Sequence, residues 1–196
     1  MRALILIAFF ASAVVTMFPT AFFEELERFN SDRRAFAKAN AIPNMWRLDL
    51  DMNLIKQAEK FDCSNLKPGN NYRFFLWQGG QDEQKLKMFW VNWMNHTENA
   101  NPAVVKAVIK EWEATSALFL EYMNYHQTLI GCAPVKCVVH YELPPIYVVY
   151  QRVCLFGPSN KLSITLPIDQ HSGKVPGSDC GPDGSNFDGL CVRKNW

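Results

Sequence analysis

The chain has 196 residues, of which 48% are hydrophobic, and its 20 Lys and Arg residues nearly balance its 19 Asp and Glu residues. This length suits one domain with a substantial core, and the composition excludes a disordered tail, a collagen-like repeat and an extended coiled coil. A net charge of +1 provides no basic surface for tracking a phosphate backbone, so nucleic acid is not expected as a partner.

The first residues predict export from the cell. Arg2 precedes a continuous apolar run from Ala3 to Phe10, and the small residues Ala11-Ser12-Ala13 follow it. These features are typical of a secretory signal peptide, with cleavage between residues 13 and 21. An uncleaved signal anchor is the alternative, because further apolar residues follow. We expect residues 1–21 to be a signal region and the mature chain to be extracellular, since no second stretch reaches the ~18 apolar residues of a membrane span.

Apolar residues at helical spacing predict helices in the first part of the chain. One stripe runs from Phe22 to Ala37 and contains a single polar residue, Arg33. Asp51 is the expected N-cap of a second helix. Asn101-Pro102 predicts another helix start, with an asparagine N-cap followed by proline at the first helical position. A further stripe from Leu86 to Met94 is also consistent with a helix.

Strands are predicted later in the chain. Residues 133–140 and 146–156 are rich in Val, Tyr and Cys, and the second segment is almost continuously apolar, which is typical of a central strand. Residues 169–196 contain many Gly and Pro residues and predict an irregular tail. Helices first and strands late indicate an α+β fold, with helices packed on a mostly antiparallel sheet.

Six cysteines predict disulfide bonds, because their number is even and the compartment is oxidising. The positions of the six cysteines in the sequence do not distinguish among the fifteen possible disulfide pairings. A structural zinc cluster is the alternative, although no Cys-x-x-Cys motif is present and the four histidines are scattered. The cysteines are Cys63, Cys132, Cys137, Cys154, Cys180 and Cys191.

Sequence blocks in a fixed order resemble a known family. The blocks are Asn30-Ser31-Asp32-Arg33-Arg34; Ile42-Pro43-Asn44-Met45; Leu48-Asp49-Leu50-Asp51 with Leu54, Ala58 and Cys63; Thr128-Leu129-Ile130-Gly131-Cys132 with Cys137; and Val153-Cys154-Leu155-Phe156-Gly157-Pro158-Ser159-Asn160. Following a signal peptide, they resemble the CAP superfamily of cysteine-rich secretory, antigen 5 and pathogenesis-related 1 proteins. The pattern of these blocks is most similar to that of the divergent, nematode-like secreted members of the family. The resemblance covers roughly residues 25–160.

This resemblance implies a three-layer α-β-α sandwich over residues 22–168 (the CAP, or SCP, domain), followed by a short irregular tail at 169–196. It also implies the disulfide pairs Cys63–Cys137, Cys132–Cys154 and Cys180–Cys191, the last closing the tail.

Many CAP proteins carry two histidines and two acids in a central cleft that can hold a divalent metal. Matched position by position, Asn70 replaces the first acid, Thr115 the second acid and Leu118 one histidine, while Glu121 stands where a glutamine follows that histidine. The other histidine has no counterpart between Cys63 and Pro68. We therefore expect a degenerate cleft with no metal, no other cofactor and no catalytic residue.

Three other polar residues are weighed as remaining ligands. His126 is interpreted as a polar residue at a strand or loop edge, and Glu113 and Glu121 as solvated or hydrogen-bonded surface acids. A residual metal-dependent hydrolase built from these three is the alternative from the enzyme class. A lone acid without a second carboxylate or a positioned base makes no hydrolase, and neither a Ser-His-Asp signature nor a phosphate-binding loop is present.

Asn95-His96-Thr97 is an N-glycosylation sequon, so a secreted chain is expected to carry glycan at Asn95. The aromatic run from Tyr72 to Trp77 is interpreted as a strand or core segment, with an apolar groove for a lipid as the alternative. The sequence thus predicts a secreted, non-enzymatic CAP-like binding protein whose partner is an unknown protein or lipid ligand, with an extracellular lipid or sterol carrier as the second interpretation.

Overall fold

A computed structural model describes residues 20–77, 102–142, 145–163 and 174–194. The predictions for the signal region, for the stripe from Leu86 to Met94 and for Asn95 fall outside these residues. Within the described ranges, no helix has both the length and the apolar character needed to cross a bilayer.

Three α-helices and one 3-10 helix are described. They are α1 (Thr20–Ala39), α2 (Met52–Ala58), α3 (Pro102–Ala114) and the 3-10 helix Leu118–Met123. The predicted N-cap of α2 is confirmed, because the Asp51 carboxylate accepts hydrogen bonds from the backbone N–H groups of Asn53 and Leu54, both at 2.8 Å.

The main sheet has four strands in the spatial order β1-β3-β4-β2. The strands are β1 (Asp49–Leu50), β2 (Arg73–Trp77), β3 (Leu129–Glu142) and β4 (Pro145–Gly157). β4 pairs antiparallel with both β3 and β2, which confirms the prediction that this apolar segment is central. The short β1 pairs parallel with β3.

Helices cover both faces of this sheet, which gives the α-β-α layering. Side chains of β4 alternate between the faces, so that Val153 and Leu155 pack with α2, while Cys154 and Phe156 pack on the opposite side. That second side holds the larger core, with residues from α1, α3 and the 3-10 helix that include Leu26, Phe29, Val105, Trp112, Leu120 and Tyr122. The aromatic strand β2 contributes to both faces, since buried Phe74 lies on the α2 side and buried Phe75 on the other.

Arg33, the one polar residue on the apolar stripe of α1, is completely buried. Its guanidinium donates to four backbone carbonyls: Trp46 O through Nε (2.8 Å) and Nη2 (2.6 Å), Tyr122 O (2.5 Å), Asn124 O (2.9 Å) and Gln127 O (2.9 Å). Burial lowers the pKa of Arg33 to about 9, so the side chain keeps its charge at neutral pH. It ties α1 to the segment at Trp46 and to the end of the 3-10 helix with the loop that follows it, and it satisfies carbonyl groups there.

The tail differs from the predicted irregular segment. Strands β5 (Gly184–Phe187) and β6 (Leu190–Arg193) form an antiparallel hairpin joined by Asp188-Gly189. Both turn residues have positive φ (50° and 89°), the conformation in which the Asp-Gly pair favours tight hairpins. The Asp188-Gly189 dipeptide is the sequence signal that indicates this hairpin. The hairpin packs on the domain, because Leu190 is fully buried and the Asp188 carboxylate contacts Lys38 of α1 at 2.6 Å.

Three disulfides fix these parts, and they are the pairs that the family resemblance implied. Cys132–Cys154 joins residues that face each other across β3 and β4. Cys63–Cys137 attaches the segment after α2 to β3, and Cys180–Cys191 closes the loop that contains the hairpin. No described cysteine is free.

Candidate functional site

The positions predicted to form the degenerate cleft lie in three different environments. Asn70 is exposed in the loop before β2, and Thr115 is exposed just after α3, where its hydroxyl donates to the carbonyl of Glu111 at 2.9 Å. Glu121 lies in the 3-10 helix and is fully buried. The side chain of Leu118 is outside the described part of the structure. Asn70 and Thr115 therefore present neutral, solvent-facing groups rather than a convergent pair of ligands.

Arg73 lies at the centre of this region. It begins β2 opposite Phe156 and is fully buried between the sheet and the end of α3. Its guanidinium pairs with Glu121 in bidentate fashion, with Nε 2.6 Å from Oε2 and Nη2 2.8 Å from Oε1. Such a fork-to-carboxylate pair is both strong and directional.

The remaining N–H groups of Arg73 are also used. Nη2 donates to the carbonyl of Trp112 at 2.6 Å, and Nη1 donates to those of Glu113 and Asn160, both at 3.1 Å. One side chain of β2 thereby holds the C-terminal end of α3, the 3-10 helix and the segment after β4 in a single arrangement.

The prediction that Glu121 is a surface acid is wrong. Both of its oxygens are buried acceptors, because Oε1 also receives the backbone N–H of Ala117 at 2.6 Å and the Ser116 side chain bonds to the carboxylate. Burial raises the pKa of Glu121, and Arg73, Ala117 and Ser116 oppose that shift. The carboxylate is an internal structural partner, with its acceptor sites already engaged.

The side chains of His126 and Glu113, the other two candidates, take no part in this pair, although the backbone carbonyl of Glu113 accepts a hydrogen bond from Arg73. His126 is exposed, as expected for a loop residue, and its ring lies against Tyr125 at a centroid distance of 4.4 Å. Glu113 is exposed on α3. Over the ranges that the structure describes, no three His, Cys, Asp or Glu side chains come together in a group that could hold a metal ion.

An apolar cavity of about 270 Å³ opens beside Thr115. It lies between the end of α3, the loop after Cys63 and the extended part of the β3–β4 pair. Its main lining is apolar or aromatic, consisting of Leu66, Phe74, Leu76, Trp112, Val139 and Tyr150. Of the predicted cleft positions, Thr115 lines this cavity, whereas Asn70 and Glu121 do not.

Sequence reasoning missed Arg73, the residue that organises the region. The available signal was an arginine inside the aromatic run from Tyr72 to Trp77, since a charged side chain in a buried strand requires an opposite charge. Its partner could not be read from spacing, because Glu121 is 48 residues away in sequence.

Comparison of the sequence with protein-family models and with curated proteins gives no match. Comparison of the fold with solved structures does give matches. The hookworm platelet inhibitor superposes with a TM-score of 0.54 at 16% identity, covering 89% of this chain and 91% of that chain. Na-ASP-1 superposes with a TM-score of 0.45 at 14% identity over 94% of this chain, which spans about half (48%) of that protein.

Both of these structures are nematode proteins of the CAP family. The first match covers nearly the whole of both chains. The chain has the disulfide-stapled α+β fold of CAP proteins.

Proposed function

We propose that this protein is a secreted, non-enzymatic binding protein built on the CAP fold, which acts on a protein or lipid ligand outside the cell. The observation that carries the proposal is the internal pairing of Glu121 with Arg73, because it commits the one acid among the four aligned cleft positions to a structural role.

The residues present do not fit the divalent metal that many CAP proteins can hold. Asn70 and Thr115 offer no negative charge, and the Thr115 hydroxyl already bonds to Glu111. For Glu121 to ligate a cation, it would have to release Arg73, which would leave a fully buried guanidinium without its counter-charge. A cation exchanges its hydration shell only for comparably strong donors, and among the described residues no three His, Cys, Asp or Glu side chains come together to supply them.

A thermal-melting titration with zinc chloride tests this part of the proposal. At about 100 μM, zinc would stabilise a protein with a Kd of about 1 μM by about 2.7 kcal/mol, whereas we expect an unchanged Tm. A zinc-dependent rise in Tm that His126→Ala or Glu113→Gln abolishes would instead support the hydrolase alternative. Glu59→Gln, an exposed acid on a different part of the surface, is the matched control.

The apolar cavity beside Thr115 favours lipid binding as the second candidate function. Its volume of about 270 Å³ lies just below the roughly 300 Å³ at which pockets for drug-sized ligands begin, so it suits one acyl segment better than a whole sterol. Organic extraction of the purified protein followed by mass spectrometry should detect bound lipid under this alternative. Val139→Arg, inside the cavity, should abolish lipid recovery, and Val138→Arg, on the exposed face of the same strand, should not.

Secretion and glycosylation are tested on material expressed in a eukaryotic host. We expect the intact mass of the secreted protein to correspond to cleavage between residues 13 and 21. Peptide-N-glycosidase should lower the mass of the wild type and leave Thr97→Ala unchanged, because that substitution destroys the Asn95 sequon. Retention of the full leader, or no mass change in the wild type, would contradict the respective prediction.

A further inference from the structure

Two cavities meet at the end of β6, where they share lining residues. The larger, of about 750 Å³, is lined by residues that include Trp46, Thr128, Pro182 and Asp183. The smaller, of about 270 Å³, includes Arg47, Asp49 and Phe187. Arg193 and Lys194 line both cavities. We refer to the surface formed by the lining residues of both cavities as the hairpin groove; besides the nine residues just named, these are Cys180, Gly181, Ser185 and Val192.

The aromatic wall of the groove is held rigidly. The carbonyl of Trp46 accepts two hydrogen bonds from the buried Arg33, and Trp46 forms a parallel β-bridge with the disulfide-bonded Cys191. A Cβ added at Gly184 would lie 2.8 Å from Cη2 of the Trp46 ring, so the absence of a side chain at Gly184 lets the indole lie directly against the hairpin. A ligand would therefore meet a preformed surface.

The other wall is also fixed, although it consists of a short two-stranded hairpin. Cys180–Cys191 closes its loop, and the Asp188 carboxylate at its tip contacts both Arg34 (3.1 Å) and Lys38 (2.6 Å) of α1. These contacts hold the hairpin in place without a ligand, and the exposed ring of Phe187 lies on it.

The charges in the groove favour an anion. Three cations and two acids line it. Arg47 is engaged by Glu27 at 2.6 Å, whereas Arg193 is exposed and forms no ion pair within 4 Å to any described residue. Asp49 is half-buried, and Arg47 and Arg193 lie close enough to act on its charge. Burial raises the pKa of Asp49, and Arg47 and Arg193 oppose the shift. The Lys194 ammonium group donates one hydrogen bond to the carbonyl of Pro182 at 2.5 Å and keeps its charge and two further donors beside the exposed guanidinium of Arg193. Such a pair of cations is suited to a carboxylate.

We propose that the hairpin groove binds an extended acidic peptide segment, with carboxylates at Arg193 and Lys194 and an apolar side chain against Trp46 or Phe187. The larger cavity has the size of a ligand site, and aromatic residues with arginine are the side chains enriched at protein interfaces and their energetic centres. This inference rests on the proposed function and specifies the chemistry of its partner.

Fluorescence anisotropy with labelled octapeptides tests the inference. One series contains a single Phe and zero, two or four Glu residues, with Gln at the remaining positions, and a second series replaces Glu by Lys. We expect affinity to increase with each added Glu, to fall at least three-fold between 20 and 200 mM salt because of screening, and to be absent for the Lys series. Replacing Phe by Gln should weaken binding further.

Matched variants locate the site. Arg193→Gln/Lys194→Gln should weaken binding of the four-Glu peptide at least ten-fold, while Lys106→Gln/Lys110→Gln, which removes the same charge from the exposed face of α3, should change it less than two-fold. Equal affinity for the Glu and Gln peptides, or an equal loss in both variants, would overturn the proposal. The zinc titration above is independent of this outcome, so failure of the groove and failure of the proposed function remain distinguishable.

Discussion

The Arg73 guanidinium and the Glu121 carboxylate form a bidentate ion pair with both side chains fully buried. Removing one partner of such a pair leaves an uncompensated charge in the core. We expect Arg73→Met and Glu121→Leu each to lower the free energy of unfolding by about 3–5 kcal/mol. The double variant should lose less than the sum of the two, with a coupling energy of up to about 3 kcal/mol in a urea-denaturation cycle.

The exposed pair Arg47–Glu27 provides the control, because its N–O distance is also 2.6 Å while its side chains are 32% and 59% exposed. The corresponding single variants there should cost no more than about 1 kcal/mol. Additive losses at Arg73 and Glu121, or losses as small as those of the surface pair, would contradict the structural role assigned to the buried pair.

The buried pair also illustrates which features of the fold and of the candidate site the sequence could predict. Local signals were sufficient for Asp51 as an N-cap and for β4 as a central strand, since capping and apolar runs act over a few residues. They were insufficient for Glu121, whose environment is decided by an arginine from another strand. The tail hairpin was predictable in principle, because Asp188-Gly189 is a local turn signal that the abundance of Gly and Pro obscured.

The contacts of Arg33 could not be predicted from the sequence for the same reason. Its position on the apolar stripe was visible from the sequence, but its four carbonyl partners come from the loop at Trp46 and from the end of the 3-10 helix with the loop that follows it. Neither periodicity nor spacing specifies which backbone groups such loops leave unpaired. The groove at the end of β6 was unpredictable for a related reason, since its walls come from residues near position 46 and from the hairpin, far apart in the chain.

Removal of the disulfide that closes the longer loop should destabilise the protein more, because the loop-closure entropy grows with the logarithm of loop length. Cys63–Cys137 spans 74 residues and Cys180–Cys191 spans 11. If the bond acts mainly by restricting the unfolded chain, the losses are about 4 and about 3 kcal/mol respectively. Paired Cys→Ser variants measured by urea denaturation check this order. A larger loss for the short loop would show that the tail disulfide acts through native packing of the hairpin instead.

Glu25 should make stability depend on pH. Its side chain is almost completely buried and pairs with Arg152 through Oε2, while Oε1 has no hydrogen-bond partner among the described residues. Burial raises the pKa of Glu25 above its ordinary value of 4.5, and the pairing with Arg152 only partly offsets this. The folded state therefore binds more protons than the unfolded state between those two pKa values, and stability falls as the pH rises through that window.

Glu25→Gln removes this titration. The difference in unfolding free energy between wild type and Glu25→Gln should be most favourable to the wild type below pH 4.5, decline as the pH rises through the folded-state pKa and level off above it. Urea denaturation at half-unit pH steps measures this difference. Glu24→Gln, the exposed neighbour on α1, should give a nearly constant difference. A difference that grows in favour of the wild type with increasing pH would mean that Arg152 outweighs burial.

Arg33 is expected to be among the most sensitive positions in the chain. Arg33→Met would leave the carbonyls of Trp46, Tyr122, Asn124 and Gln127 buried without their donor, and each such group costs about 1–3 kcal/mol. We expect a total loss of more than about 4 kcal/mol, a value typical of a broken buried network. Arg33→Lys should recover only part of it, because an ammonium group offers three donors and cannot reproduce the planar fork.

The neighbouring Arg34 is a stringent control for this prediction, since it lies on the same helix but forms a partly exposed ion pair with Asp188. Arg34→Met should cost no more than about 1 kcal/mol. Because Arg33 also fixes the backbone of Trp46, Arg33→Lys should weaken binding of the acidic peptide even at temperatures where it is fully folded, whereas Lys106→Gln/Lys110→Gln, remote from the groove, should change it less than two-fold. Equal stability losses at the two positions would show that the carbonyl network around Arg33 contributes little to the fold.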